Sequence, residues 1–297
     1  MIDPSMARSS QSNIGARRLD GAHRSLDLGA PVIMGVLNVT PDSFSDGGRY
    51  GDIDAARARA REMAAEGAGI IDIGGESTRP GATPVTTEDE LARVLPVLEA
   101  LRADMPDMFI SLDTSNPVVM RRGCDAGADM INDVRGLDAP GALSAVADAK
   151  AAVCVMHRQG EPATMQNAPR YTDVVAEVRD YLQARVVACR DAGVRHDRIV
   201  VDPGFGFGKS LDHNLAMLRH IERLGVDDCP VLMGISRKSM FATLFEADDM
   251  ASRINGSLGA AFWAARHGVG IIRAHDVRQT AQMLTLAQAL GDAPGRA

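Results

Sequence analysis

Short apolar runs recur along the chain. Each is followed by a polar cluster and then by a longer stretch with helical spacing. The runs lie at residues 32–37, 70–73, 109–112, 130–131, 152–156, 199–201, 231–233 and 270–272. Most are continuous rather than alternating, as in parallel strands covered on both faces. The amphipathic stretches between them span 54–66, 87–102, 117–126, 141–149, 172–192, 211–224, 251–267 and 277–290. Gly67 supplies a helix stop after the first, and Thr87-Glu88-Asp89-Glu90 a capping pattern at the start of the second. Strand–helix units repeated without a break in composition predict a single-domain α/β protein, a (β/α)8 TIM barrel over 18–290. The polar ends, 1–17 and 291–297, are expected to be tails, the first of them disordered. A doubly wound parallel sheet is the competing α/β arrangement.

The interior of such a barrel is filled by side chains, so chemistry collects where strands end and loops begin. Here those positions are polar: Asn38, Asp72, Asp113-Thr114, Asn132-Asp133, Met156-His157, Asp202, Gly234 to Ser239, and Arg273 to Asp276. Taken singly, each is an ordinary turn or helix cap. Taken together, carboxylates and amides from the third, fourth and sixth strands meet cations from the seventh and eighth at one mouth, which a polar ligand would satisfy. The segment GFGFGKS is not a phosphate-binding P-loop, because the first glycine of that motif falls on Pro203. Asn38-Val39-Thr40 matches a glycosylation sequon by chance, since nothing around it reads as a secretory signal. The Gly/Ser/Pro-rich loops 40–48 and 76–82 carry a lone Phe44 and Arg79, which suits lids that close over a bound ligand.

Composition narrows the function class. Apolar residues are 45% and charged residues 24%, an ordinary globular balance, and the net charge of −7 disfavours a nucleic-acid partner. An anionic substrate must therefore be held by locally placed cations or a metal. Cys124, Cys154, Cys189 and Cys229 fit no zinc spacing and read as reduced, buried thiols. No segment is long and apolar enough for a membrane span, and a cytoplasmic location is expected.

The segments NVTPDSFSDGG, DIGGESTRPGA, DPGFGFGK, GISRKSM and RAHD follow predicted strands in that order. They resemble the dihydropteroate synthase family of pterin-binding enzymes, over roughly residues 32–290. MHRQGEPATMQ at 156–166 is similar to a further family segment, with Arg158 in place of a usual Met. The resemblance implies an enzyme of folate biosynthesis that joins 6-hydroxymethyl-7,8-dihydropterin diphosphate to p-aminobenzoate, releasing diphosphate. It implies a pterin site of Asp113, Asn132, Met156, Asp202, Phe207, Gly234 and Lys238, with Asp113, Lys238 and Asp202 in the reaction. Diphosphate would meet Asn38, Thr78, Arg273 and His275, with Mg²⁺ on Asn38. The p-aminobenzoate would lie by Phe44, Thr78, Arg79, Pro80, Phe207 and Ser239. An SN1-like displacement, a homodimer and sensitivity to sulfonamides are also expected. Two other readings share the barrel. A methyltetrahydrofolate-binding methyltransferase would lack the diphosphate cluster, and a non-catalytic pterin-binding partner would have lost Lys238, Arg273 or His275; all three are present.

Overall fold

The computed structural model describes residues 18–40, 48–76, 85–160 and 169–291. The predicted N-terminal tail, and the C-terminal one apart from Gly291, lie outside these residues. The chain opens on an antiparallel hairpin, β1 (Arg18–Asp20) and β2 (Ser25–Asp27). Parallel strands and helices then alternate: β3 (Val32–Asn38), α1 (Gly48–Ala65), β4 (Ala68–Gly74), α2 (Thr87–Asp104), β5 (Phe109–Asp113), α3 (Pro117–Asp125), β6 (Met130–Asp133), α4 (Ala142–Asp148) and β7 (Ala152–Met156). They continue with α5 (Val174–Asp191), β8 (Ile199–Asp202), α6 (Leu211–Arg219), β9 (Leu232–Met233), α7 (Met240–Phe245), α8 (Met250–Arg266), β10 (Ile271–Ala274) and α9 (Val277–Leu290).

The sheet order is β8-β7-β6-β5-β4-β3-β10-β9. A parallel bridge between Val201 and Val231, with the Val201 amide donating to the Pro230 carbonyl at 3.0 Å, joins its two ends. The eight strands therefore close on themselves as a (β/α)8 barrel, with no edge left for another chain.

Side chains alternate across each strand. One set, including Ile33, Ile71, Ile73, Ile110, Leu112, Ile131, Val153, Val155 and Val201, packs outward against helix residues such as Val94, Leu98, Val119, Val178 and Leu182. Each such buried aliphatic stabilises the fold by about 1.5–3 kcal/mol. The other set, Met34, Ile70, Phe109, Met130, Cys154, Val200, Leu232 and Ile271, fills the barrel, joined by Leu19 of the hairpin and Leu28 just after it. Continuing that inner parity by two or four residues leads to Asn38, Asp72, Asp113, Asn132, Met156, Asp202, Gly234 and Arg273. The closed barrel thus turns a two-residue period into a polar ring at its C-terminal mouth.

The strands extend one or two residues past most of the apolar runs, because ladder pairing continues through the polar positions: Asn132 pairs in register with Asp113, and Asp202 with Met156. The hairpin, with three residues per strand, has no periodic signal of its own. Helix α7 is a short element hidden in the loop after β9, and the predicted helix 211–224 ends at Arg219, with a 3-10 turn over Ile221–Arg223. The cap of α2 falls on Thr86, whose backbone is extended and whose hydroxyl accepts from the Asp89 amide at 3.1 Å. Thr87 is already helical and accepts instead from Asn116 Nδ2 at 2.7 Å. All four cysteines are buried and free. Among the described residues no helix is long and apolar enough to cross a membrane.

Candidate active site

Arg273 lies near the end of β10 inside the mouth and is gripped by two carboxylates. Its Nε donates to Asp72 Oδ2 at 2.7 Å and its Nη2 to Asp113 Oδ2 at 2.9 Å. Asn132 Nδ2 donates to the same Asp72 oxygen at 3.2 Å, so one carboxylate orients both an amide and a guanidinium. Asp72 is fully buried, and its Oδ1 has no partner among the described residues. Burial opposes the charge on Arg273, but Asp72 and Asp113 outweigh it and hold its pKa above the ordinary guanidinium value. Asp113 is pushed up to about 7: burial dominates, the charges of Asp72, Asp133 and Glu90 add to it, and Arg273 pulls the other way. Asn38 stands exposed across Gly74 from this pair. A Cβ on Gly74 would lie 3.6 Å from Asn38 Oδ1 and 3.7 Å from Asp113 Cβ.

The opposite wall is Asp202, at the end of β8. Its Oδ1 accepts from the Gly204 amide at 2.7 Å, while burial raises its pKa against the pull of that amide and of Lys238. At Gly234 a Cβ would be in ordinary contact with both walls, 3.5 Å from Asp202 Oδ2 and 4.0 Å from Arg273 Cδ. Lys238 reaches in from the loop after β9 and places Nζ 4.0 Å from the centroid of the Phe207 ring, a cation–π contact. Burial lowers the Lys238 pKa to about 8, with Asp202 opposing the shift and Arg273 adding to it. Met156 is buried beneath the loop after β8, close to Gly204.

Gly204 is the tightest point of this loop. Its φ is +69°, and a Cβ would lie 1.9 Å from the His157 carbonyl oxygen, a backbone atom with nowhere to go. Gly204→Ala is therefore expected to lower unfolding free energy by about 3 kcal/mol or more, read from denaturant midpoints at unchanged slope. A loss below about 1 kcal/mol would show that the two loops can separate without cost.

His275 follows β10, and its Nδ1 lies 3.0 Å from Ser236 Oγ. Its neighbour Asp276 takes a two-point contact from Arg237, at 2.9 and 2.5 Å, which fixes the loop that carries Lys238. Ser239 is exposed just before α7. Phe44, Thr78, Arg79 and Pro80 lie outside the described residues, as does much of the 156–166 segment. Asp133 turns away from the mouth, where it accepts from Ser115 Oγ at 2.5 Å and from the Arg135 and Leu137 amides.

The model of the family described as pterin binding enzyme matches residues 34–275, most of the chain and the whole ring of strand ends. The chain belongs to the pterin-binding enzyme family. It is 48% identical to the dihydropteroate synthase of Escherichia coli K12 over 265 residues, covering 89% of this chain and 93% of that protein. Among solved structures, it resembles Xanthomonas albilineans dihydropteroate synthase with 4-aminobenzoic acid. That likeness has a TM-score of 0.87 at 48% identity and covers 94% of this chain and 100% of the other. The same enzyme in complex with 7,8-dihydropteroate matches with a TM-score of 0.84 at 45% identity, covering 93% and 100%.

For a member of this family, two features of the site escape a reading of motifs alone. Asp72 occurs in a predicted strand end but is not singled out, although its parity with Ile70 places it inside the barrel beside Arg273. Lys209 is absorbed into a glycine-rich turn, yet it is 3% exposed and held next to His157. A lysine that follows a run of glycines and phenylalanines carries no sequence sign that it will point inward.

Proposed function

We propose that this chain works as a dihydropteroate synthase, joining 6-hydroxymethyl-7,8-dihydropterin diphosphate to p-aminobenzoate to give 7,8-dihydropteroate and diphosphate. The observation that carries the reading is the placement of Asp202, Asn132 and Lys238 in the same mouth as Arg273. A pterin edge offers two donors and an acceptor. Asp202 would accept from its amino group and ring N–H, Asn132 would both donate and accept, and Lys238 would donate to its carbonyl oxygen. Met156 and Phe207 would supply apolar walls, and Gly234 the room above Asp202.

Arg273 and His275, with Thr78, would meet the diphosphate. Its Nε–Nη2 edge being held by Asp72 and Asp113, Arg273 keeps Nη1 for the ligand. Among the described residues there is no group of three or more acidic, His or Cys side chains that could cage a metal. The single hard oxygen of Asn38 suits an ion bound mainly by phosphate and water. Mg²⁺ would be held on the protein side by Asn38 and would neutralise charge on the leaving group. Asp113 would face the pterin ring and stabilise positive charge as the bond from the exocyclic methylene to diphosphate breaks. The aniline nitrogen, neutral at pH 7, then forms the new C–N bond and gives up its proton. Phe44, Thr78, Arg79, Pro80, Phe207 and Ser239 would surround p-aminobenzoate. A cytoplasmic homodimer is part of the same reading; exposed Met250, Trp263, Leu286 and Leu290 on α8 and α9 support an apolar face there.

The purified protein is expected to release diphosphate from the dihydropterin substrate only when p-aminobenzoate is added, at matched rates of diphosphate and dihydropteroate formation. Release that is independent of the amine, or none from a folded sample, would sink the synthase reading.

A further inference from the structure

Lys209 is a buried ammonium that forms no ion pair with a carboxylate among the described residues. Its Nζ donates to the carbonyls of Gly204 at 2.8 Å and Phe207 at 3.0 Å, and lies 3.0 Å from His157 Nδ1. The His157 carbonyl is farther, at 3.5 Å. An ammonium has three N–H donors and no lone pair, so the three short contacts use it completely. When Lys209 is protonated, the histidine nitrogen facing it is the acceptor, with the ring proton on Nε2. Burial and the Lys209 charge agree with this, lowering the His157 pKa to about 3. Burial also lowers Lys209 to about 7, with Asp202 opposing the shift.

The three acceptors belong to two loops. Gly204 and Phe207 lie after β8, and His157 lies after β7. The loops are stacked backbone on backbone: a Cβ on Gly208 would fall 2.2 Å from the Gln159 carbonyl, and Tyr171 Oη donates to the Gly208 carbonyl at 3.0 Å. The His157 ring is held edge-on by Tyr181, with centroids 4.9 Å apart. The upper loop carries site groups at both ends. The Gly204 amide holds Asp202, and the Phe207 ring rests on Lys238.

We infer that Lys209 is a positioning residue: it latches the loop after β8 onto the loop after β7 and so holds the Phe207 ring against Lys238, where p-aminobenzoate is to bind. The inference rests on the synthase reading of the previous section. Asp202 and Asn132 stand on strand ends, so although the pterin also meets Phe207 and Lys238, the loss should fall mainly on the second substrate and much less on the pterin.

The test is a double-mutant cycle of Lys209→Met and Phe207→Leu in the full chain, since coupling between the two isolates an effect transmitted through the ring. Lys209→Met is expected to raise KM for p-aminobenzoate about tenfold, with kcat and the calorimetric Kd for 6-hydroxymethylpterin within about threefold of wild type. In the Phe207→Leu background the same change should add no more than about twofold. A merely structural lysine would weaken both ligands together or act additively with Phe207→Leu, and either result overturns the inference. So does an unchanged KM for p-aminobenzoate. If Lys209→Met does not fold, His157→Phe removes one acceptor while keeping the ring packing. It should then raise the same KM about threefold, and an unchanged KM counts against the latch. Wild-type protein without p-aminobenzoate-dependent diphosphate release overturns the synthase reading instead.

Discussion

Arg273→Met is expected to lower kcat/KM for the dihydropterin substrate by at least about 1,000-fold, because it removes a preorganised cation from the leaving-group end of the site. It should also destabilise the fold. Arg273 is the shared partner of Asp72, which is fully buried, and of Asp113, whose side chain is 12% exposed. Removing one member of a buried ionic cluster typically costs about 3–5 kcal/mol, since the charges left behind are uncompensated. The sign of the pH dependence follows. Without the guanidinium that pulls it down, Asp113 binds its proton still more tightly in the folded chain, so stability goes on falling as pH rises past about 7. The gap in melting temperature between wild type and variant should be wider at about pH 8 than at about pH 5.5. A gap that is flat across this range would mean that Arg273 does not lower the Asp113 pKa. A kcat/KM within about tenfold of wild type would remove Arg273 from the leaving-group site.

Asp113→Asn is the second large effect. The substitution keeps the shape and removes the negative charge expected to face the pterin ring. The single-turnover rate should fall about 100- to 1,000-fold. Diphosphate affinity should hold or improve, because Arg273 Nη2 is released from a carboxylate. Equal losses of rate and diphosphate binding would count against a cation-stabilising role. The wild-type pH profile provides a second readout. With Asp113 pushed up to about 7 by burial and by Asp72, Asp133 and Glu90, the ionised form is gained as pH rises, so kcat/KM should climb through about pH 7. The variant should lack that limb. The same raised pKa makes Asp113 a liability to the fold: the stability it contributes while protonated at acid pH is lost as pH rises through about 7.

Much of this site is legible before any coordinates. Apolar runs broken by Asn38, Asp113, Asn132, Asp202 and Arg273 are enough to place these residues at strand ends, because a strand covered on both faces needs an apolar run and a βα loop needs polar caps. The five motifs are enough to suggest which substrates such an arrangement serves. Local order along the chain does not say which side chains turn inward. Asn132 and Asp133 are adjacent in sequence and equally polar, and only strand pairing separates them: one joins Asp72 in the mouth and the other caps the loop that follows.

Register and closure decide the rest. Asp72 and Arg273 are 201 residues apart and meet only because β3 lies between β4 and β10 in a closed sheet. Lys209 and His157 are 52 residues apart and meet only because the loops after β7 and β8 stack. The sequence by itself determined the eight-unit barrel, the polar ends of its strands and the kinship that names the chemistry, since periodicity, capping and motifs are local properties. The tertiary structure alone decided the Asp72–Arg273–Asp113 cluster and the Lys209 latch, since desolvating a charge is tolerable only where the fold brings its partners from distant segments.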